Sequence, residues 1–411
     1  MELKAALKDI KVDRMRHTNT FTKNIFGRLA TATRPGLYTS NVCMELETGF
    51  LAVRIGVPNV SASEQAGVKV CVAPTSENNL NASWMNNVNP VNGAWTNATF
   101  GGQSSVTLAP RVAEEQWSIT WSDPIYIQDV PRTDNGTRPL LMVRIEFASG
   151  ATVSVPQSGT YYWRTTTSGR LMKGSVQEVS GVSDRSTFTT TATTDTDAVV
   201  PVVQYVGKRS GHQMFISGDS IQMGLGGTVR DNGAIQRVVM QNSIPSAPID
   251  YFNAALHAQT STVYSGMAVA HLDAVKPTMM TYAPYTINEV PVGGMRADTK
   301  ATMLGNLSKI LTKVDSMALR PRIFLMEGLP CNTAYKNTGA NDVLRVNLNA
   351  EIATFSGATV IKGYAAAVTG AADANGQLQI KDGISGDGVH YNDSGYDLLA
   401  GAVSPYVLNV I

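Results

Sequence analysis

Two periodicities divide the chain. Up to about residue 200, apolar and polar residues alternate in short runs at 50–55, 67–72, 118–127, 140–147 and 160–164, separated by clusters of Gly, Asn and Pro. In Trp117-Ser-Ile-Thr-Trp121 the odd positions are apolar and the even ones polar, the period-two signature of a half-buried strand. Many such runs predict an N-terminal all-β sandwich or jelly-roll-like domain. Beyond residue 200 the pattern changes. β-type runs at 214–217, 278–282, 322–326 and 359–364 are followed by helical patterns, the clearest at 300–319. There Met303, Leu304, Leu307, Leu311, Val314 and Met317 recur at three- and four-residue spacings. Residues 342–355 and 394–408 follow the same pattern, with Asn392 and Asp393 as candidate caps. Strand alternating with helix predicts a C-terminal α/β/α three-layer sandwich around a flavodoxin-like parallel sheet.

The expected division is therefore an N-terminal segment 1–20, a β-rich domain 21–200 and an α/β domain 201–411. In open parallel sheets ligands bind beyond the carboxyl ends of the strands, so chemistry is expected just after each strand of the second half. Composition narrows the function. Lys plus Arg number 33 against 32 Asp plus Glu, a formal charge of +1 over 411 residues. That balance removes the electrostatic reason to expect nucleic acid or an anionic membrane as a partner. No run of about 18 apolar residues occurs, so no membrane insertion is expected. Cys43, Cys71 and Cys331 are widely spaced and form no CxxC, which supports neither a disulfide framework nor a zinc site. No metal and no cofactor are expected. Residues 1–16 mix charge and apolar residues too often for the core of an export signal. Extracellular action or a place in a virion is the favoured location, a cytoplasmic one stays open, and a homo-oligomer is compatible with the sequence.

Phe215-Ile-Ser-Gly-Asp-Ser-Ile221 places Ser220 where the first α/β strand ends. A serine becomes a nucleophile only when a base takes its proton. Of the five histidines, His17, His212, His257, His271 and His390, His212 lies at the far end of the same strand and His271 falls in a helical stretch. His390 stands in the glycine-punctuated loop Gly386-Asp-Gly-Val-His-Tyr-Asn392, three residues after Asp387. On one turn an aspartate reaches the imidazole Nδ1 proton, fixes the tautomer and leaves Nε2 for a serine. The G-x-S-x-G of an α/β-hydrolase is absent, because Gln222 stands two residues past Ser220. Gly224-Leu-Gly-Gly227 lacks the spacing of a phosphate cradle and reads as a flexible rim.

With these blocks the sequence from Gln213 to about Val410 resembles the SGNH or GDSL hydrolases. Gly218-Asp-Ser220 is similar to the family's nucleophile block and Asp387-Gly-Val-His390 to its terminal block. The resemblance implies a Ser220, His390 and Asp387 triad. It also implies an oxyanion hole of the Ser220 N–H, a backbone N–H at Ala258 and the side-chain amide of Asn288. Ala258 stands where the family has glycine, Glu289 where it usually has Asp, and Thr286 where it usually has Gly.

The expected activity is hydrolysis of an acyl ester, O-acetyl above all, on a polysaccharide such as an acetylated surface glycan met by a phage tail protein. The β-rich half is expected to bind or position the glycan, with Trp84 and Trp95 in an Asn-rich stretch as stacking candidates and His257 lining the site. Two other readings stay open: a receptor-binding or structural protein carrying a relic hydrolase, and an esterase for small or lipid esters.

Overall fold

The computed structural model describes residues 17–24, 29–76, 94–114, 116–156, 172–177, 182, 199–228, 232–291, 297–332, 339–374 and 376–409. Trp84, Trp163 and the run 160–164 lie outside them. In chain order the first half supplies β1 (Thr18–Lys23), β2 (Leu29–Thr33), β3 (Tyr38–Glu45), β4 (Phe50–Asn59), β5 (Gln65–Thr75) and β6 (Thr96–Asn97). It continues with β7 (Val106–Leu108), β8 (Ser118–Trp121), β9 (Leu140–Phe147), β10 (Thr152–Pro156) and β11 (Met172–Gln177). One antiparallel sheet runs β11, β3, β9, β5, β6, with β7 also on β5, while β10 pairs with β2. A second is built from β1, β4 and β8 around the start of β12 (Val202–Ser217). Val42, Val70 and Ile145 of the first sheet and Val53, Ile55 and Tyr205 of the second belong to one buried apolar cluster.

Strand β12 is common to both halves. Its first limb pairs antiparallel with β1 and β4, and its last residues pair parallel with β13 (Ile249–Asn253) and β14 (Met279–Tyr282). The strand bends sharply between the limbs. Tyr205 donates from its hydroxyl to Asp250 at 2.7 Å, yet Asp250 is paired with Gln213, eight residues further along. A straight strand would separate those positions by about 26 Å. The parallel sheet then continues through β15 (Arg322–Met326) and β16 (Thr359–Ile361) in the order β13, β12, β14, β15, β16. In sequence order this is 2-1-3-4-5, the flavodoxin-like arrangement.

The helices are α1 (Ser220–Met223), α2 (Ala234–Asn242), α3 (Ser261–Val275), α4 (Ala297–Asp315), α5 (Gly339–Ile352), α6 (Tyr364–Val368) and α7 (Asp393–Leu408), and a small hairpin joins β17 (Thr369–Ala372) to β18 (Leu378–Ile380). Side chains alternate across each strand. Accordingly Phe215, Met280 and Leu325 bury with α3, α4 and α5, whereas Met214, Met279 and Phe324 bury with α2, α6 and α7. Helix layers thus cover both faces of the parallel sheet. Among the described residues no helix is long and apolar enough to cross a membrane.

Polar side chains join the halves where β12 changes partners. The Gln213 amide accepts from the Thr22 N–H at 2.8 Å and donates to the Thr22 carbonyl at 2.9 Å, imitating the backbone of a neighbouring strand. Asn24 does the same to the Asn253 backbone, accepting at 2.6 Å and donating at 2.7 Å. Beside them buried Lys23 meets Glu47 at 2.9 Å and Asp250 at 3.7 Å. Ser243 and Arg138 complete the Glu47 carboxylate at 2.9 and 3.2 Å. Unmade hydrogen bonds here are expensive, because each buried orphan costs about 1–3 kcal/mol. Gln213→Leu leaves the Thr22 N–H and carbonyl unpaired, so a loss of about 2–5 kcal/mol is expected in denaturant unfolding. An unchanged midpoint would show that these bonds do not hold β1 in place.

Candidate active site

The loop carrying Ser220 follows directly from the end of β12. Asp219 caps α1: its carboxylate accepts from the Ile221 N–H at 2.9 Å, while Gln222 reaches back to the Asp219 N–H at 3.1 Å, a capping box in four residues. Ser220 therefore occupies the first helical position, where a backbone N–H has no partner within the helix. Asp219 is 2% exposed. Burial raises its pKa above the ordinary carboxylate value, although hydrogen bonds from Thr286 and Ile221 act in the opposite direction.

Ser220 and His390 meet across the site. Ser220 Oγ lies 2.8 Å from His390 Nε2, and His390 Nδ1 lies 2.6 Å from Asp387 Oδ2. The second Asp387 oxygen accepts from the Val389 and His390 N–H groups at 2.9 and 2.8 Å, which fixes the carboxylate against its own loop. Burial alone would raise the Asp387 pKa; the His390 side chain and these backbone donors outweigh it and hold the group below the usual carboxylate range. Asp387 is thus ionised at neutral pH, as a partner for imidazolium must be. Gly388 occupies the left-handed region at φ 81°, and a Cβ there would stand 2.9 Å from Asn332 Cβ.

The oxyanion candidates come from the two loops after β13 and β14. Ala258 sits at φ 59°, one of two non-glycine residues with positive φ among the described residues. This left-handed conformation favours glycine, so the alanine adopts it at a cost. Asn288 lies in a 3-10 turn and donates from Nδ2 to the Gln259 carbonyl at 3.1 Å, tying the two loops together. The two departures from the family pattern have defined tasks. Thr286 donates to Asp219 at 2.6 Å, and Glu289 accepts from the Ser261 N–H and hydroxyl at 3.0 and 2.5 Å.

The other candidates are distributed unevenly. The His257 ring centroid is 6.3 Å from that of His390, so it borders the site. Trp95 packs against Cys43, Leu140 and Met142 under the Arg144 guanidinium, 4.2 Å from its ring centroid; these partners belong to β3 and β9, not to the loops carrying Ser220 and His390. Trp84 lies outside the described residues. His271 is a core residue, stacked on Trp117 at 4.7 Å, and burial pulls its pKa down to about 4. His212 is likewise buried, its pKa lowered to about 4 by burial and by His17.

Sequence reasoning missed the placement of Gly226 against His390. The loop read as a flexible rim is pinned: the Leu225 N–H donates to the Ser220 carbonyl at 2.9 Å, Tyr396 donates to the Leu225 carbonyl at 2.7 Å, and Thr228 donates to Asp393 at 2.6 Å. Gly226, at φ 101°, lies against the back of His390, where a Cβ would come within 2.6 Å of the Tyr391 carbonyl and 2.9 Å of His390 Cβ. The one available signal was the glycine density itself.

Fold and site together place a serine, a histidine and an aspartate in hydrogen-bond contact at one edge of a parallel α/β sheet. No family model matches the sequence, and no curated relative matches it. Among solved structures the chain is similar to a lipase/acylhydrolase from Enterococcus faecalis at 15% identity and a TM-score of 0.35, covering 48% of this chain and 96% of that one. It is also similar to a GDSL-like lipase from Bacteroides thetaiotaomicron, at 18% identity and a TM-score of 0.37, over 50% of this chain and 89% of that one. A psychrotrophic esterase from Pseudoalteromonas sp. is similar at 17% identity and a TM-score of 0.36, over 48% and 97%. Each likeness spans about half of this chain.

Two substitutions test the geometry. Gly226→Ala is expected to displace His390 and lower kcat for nitrophenyl acetate by roughly 10- to 100-fold, since a misplacement of about 1 Å can cost that much; wild-type kcat would dissociate the loop from the base. Ala258→Gly relieves a left-handed alanine worth about 1–2 kcal/mol against a glycine entropy cost of about 0.5–1 kcal/mol. A modest rise in the unfolding midpoint is expected, and a fall would show that the alanine is not strained.

Proposed function

We propose that the protein is a serine esterase that removes O-acetyl groups from a polysaccharide. The observation that carries this reading is the continuous hydrogen-bonded chain from Ser220 through His390 to Asp387. His390 Nε2 takes the hydroxyl proton as Ser220 Oγ attacks the ester carbonyl, and Asp387 stabilises the resulting imidazolium. The carbonyl electrons move to an oxyanion facing the N–H groups of Ser220 and Ala258 and the Asn288 amide. Collapse breaks the ester bond, and His390 returns its proton to the departing sugar oxygen. Water, deprotonated by His390, then splits the acyl-enzyme and frees acetate and the serine.

Beneath the loop carrying Ser220, Ile221, Ile287, Leu329, Cys331 and Val389 border a cavity of about 20 Å³ that none of Ser220, Ala258, Asn288 and His390 lines, so acyl length is decided by the chain-length test below. The two-sheet N-terminal half, read as a β-sandwich accessory domain, positions the polymer, and the even charge balance of 33 to 32 suits a substrate recognised by stacking and hydrogen bonds.

The test is acetate release from acetylated polysaccharides, run beside nitrophenyl esters of two, four and eight carbons with Ser220→Ala as control. Turnover should fall by about 10⁶-fold in the variant, and acetate should be preferred to butyrate and octanoate. Preference for octanoate would favour a lipid ester, and full activity of Ser220→Ala would remove the serine from the reaction.

A further inference from the structure

A second concavity lies at the seam between the halves, at the opposite end of the parallel sheet from Ser220. It encloses about 460 Å³ and is lined by Thr20 of β1, Arg54 of β4, Trp121 of β8 and Gln204 of β12, with Asp273 and Lys276 at the end of α3. The volume falls within the roughly 300–1,000 Å³ typical of small-ligand sites. Thr278 also borders it and pairs with the β12 residue Gln213 through the Thr278 N–H at 2.9 Å. From Gln213 to the nucleophile loop the strand rises about 17 Å. The cleft is therefore no extension of the hydrolytic site.

Its polar groups are set before any ligand arrives. Arg54 stands over the Trp121 indole with its carbon 5.3 Å from the ring centroid, and its Nε donates to the Ser122 carbonyl at 3.0 Å. Gln204 donates to Thr22 Oγ1 at 3.1 Å and to the Ala274 carbonyl at 3.0 Å. Asp273 is held by Lys313 at 2.5 Å. Lys276 ends α3 in a left-handed conformation, φ 50°, which a lysine adopts at a cost and which projects it at the rim. A half-exposed indole, a planar guanidinium, a planar amide and a carboxylate around one small volume combine an apolar surface with paired donors and acceptors. That combination matches a pyranose ring, which presents C–H groups on its face and hydroxyls at its edge. Its apolar lining of Trp121, Ala274, Pro277 and Leu319 is edged by Arg54, Gln204, Asp273 and Lys276, charged and amide groups that favour a hydroxylated ligand over an acyl chain.

We propose that this cleft is a saccharide-binding site that holds one stretch of a glycan while Ser220 acts on another. The inference rests on the reading of the substrate as a polysaccharide. Tethering raises the effective concentration of acetyl groups at the triad without adding a contact there. Deacetylation of a polymer should then depend on the cleft, and hydrolysis of a small ester should not.

The full chain carrying Ser220→Ala, labelled and applied to a printed array of neutral and acidic saccharides, reads binding directly, with the strongest ligands then titrated by calorimetry. Arg54→Lys keeps the charge but removes the planar fork, and Lys276→Gly removes the charge at a dihedral that glycine tolerates. Each is expected to weaken saccharide binding about 5- to 10-fold. In the active enzyme both should lower kcat/KM on acetylated polymer and leave nitrophenyl acetate hydrolysis unchanged. A preference for acidic saccharides that vanishes with Lys276→Gly assigns that lysine to a carboxylate; equal binding of neutral saccharides assigns the site to hydroxyls. Absence of array binding, or variants that bind and deacetylate polymer like the parent, overturns the proposal. Because nitrophenyl acetate hydrolysis is read in the same preparations, loss of the esterase reading itself would be seen separately.

Discussion

The bend in β12 is the constraint on which the rest of the molecule depends. A strand that pairs antiparallel at one end and parallel at the other must leave one sheet and enter another, and the backbone groups exposed by that change need partners. The chain supplies them with side chains. Gln213 and Asn24 act as short imitations of a strand, while Lys23, Glu47 and Asp250 fill the corner with charge. Such a corner is costly to assemble, since buried ions must recover their lost hydration from one another. Its effect is to make the orientation of the two halves part of the core rather than a property of a linker.

The same strand sets the place of the candidate site. Ser220 sits three residues beyond its last paired position, so its location is inherited from a strand flanked by β13 and β14 in the parallel sheet. His390 and Asp387 arrive on a loop stabilised by its own hydrogen bonds and by Gly226 behind it. Strain collects at this edge, as it does in sites whose geometry is imposed by surrounding packing. Ala258 adopts a conformation that favours glycine, at the position proposed to present a backbone N–H.

How much of this could be read in the sequence follows from the range of the interactions involved. Helix periodicity is local, so the patterns at 300–319, 342–355 and 394–408 correspond to α4, α5 and α7 within a few residues, although α4 starts at Ala297 and stops at Asp315. Ser220, Asp387 and His390 could be picked out because they stand in two compact sequence blocks, and the fold brings those blocks within hydrogen-bond reach. The pairing of Thr22 with Gln213 spans 191 positions and leaves no periodic trace. For the same reason neither β1 nor the bend suggested itself, and Arg54 and Trp121 gave no sign of sharing a cleft with Lys276. The helical segment Ala234–Asn242 was also missed: it is short, and its buried Gln236 and Arg237 blur the apolar stripe.

Two aspartates one loop apart show how the fold assigns different work to the same side chain. Asp219 is enclosed, and its raised pKa means that the native state holds its proton more tightly than the unfolded chain does. Its contribution to stability is therefore greatest in acid and declines as pH rises from the ordinary carboxylate value through its folded one. Asp387, half-exposed and bonded by His390, has the opposite sign: its contribution is present above the ordinary value and is lost as pH falls through the depressed folded one. Near neutrality the arrangement holds the Asp387 charge beside the His390 imidazole and penalises charge beneath Ser220. Thr286 and the α1 N-terminus limit that penalty through hydrogen bonds to Asp219, which links the loop after β14 to the serine. A glycine at position 286 could not make this connection, which joins the loop carrying Asn288 to the loop carrying Ser220.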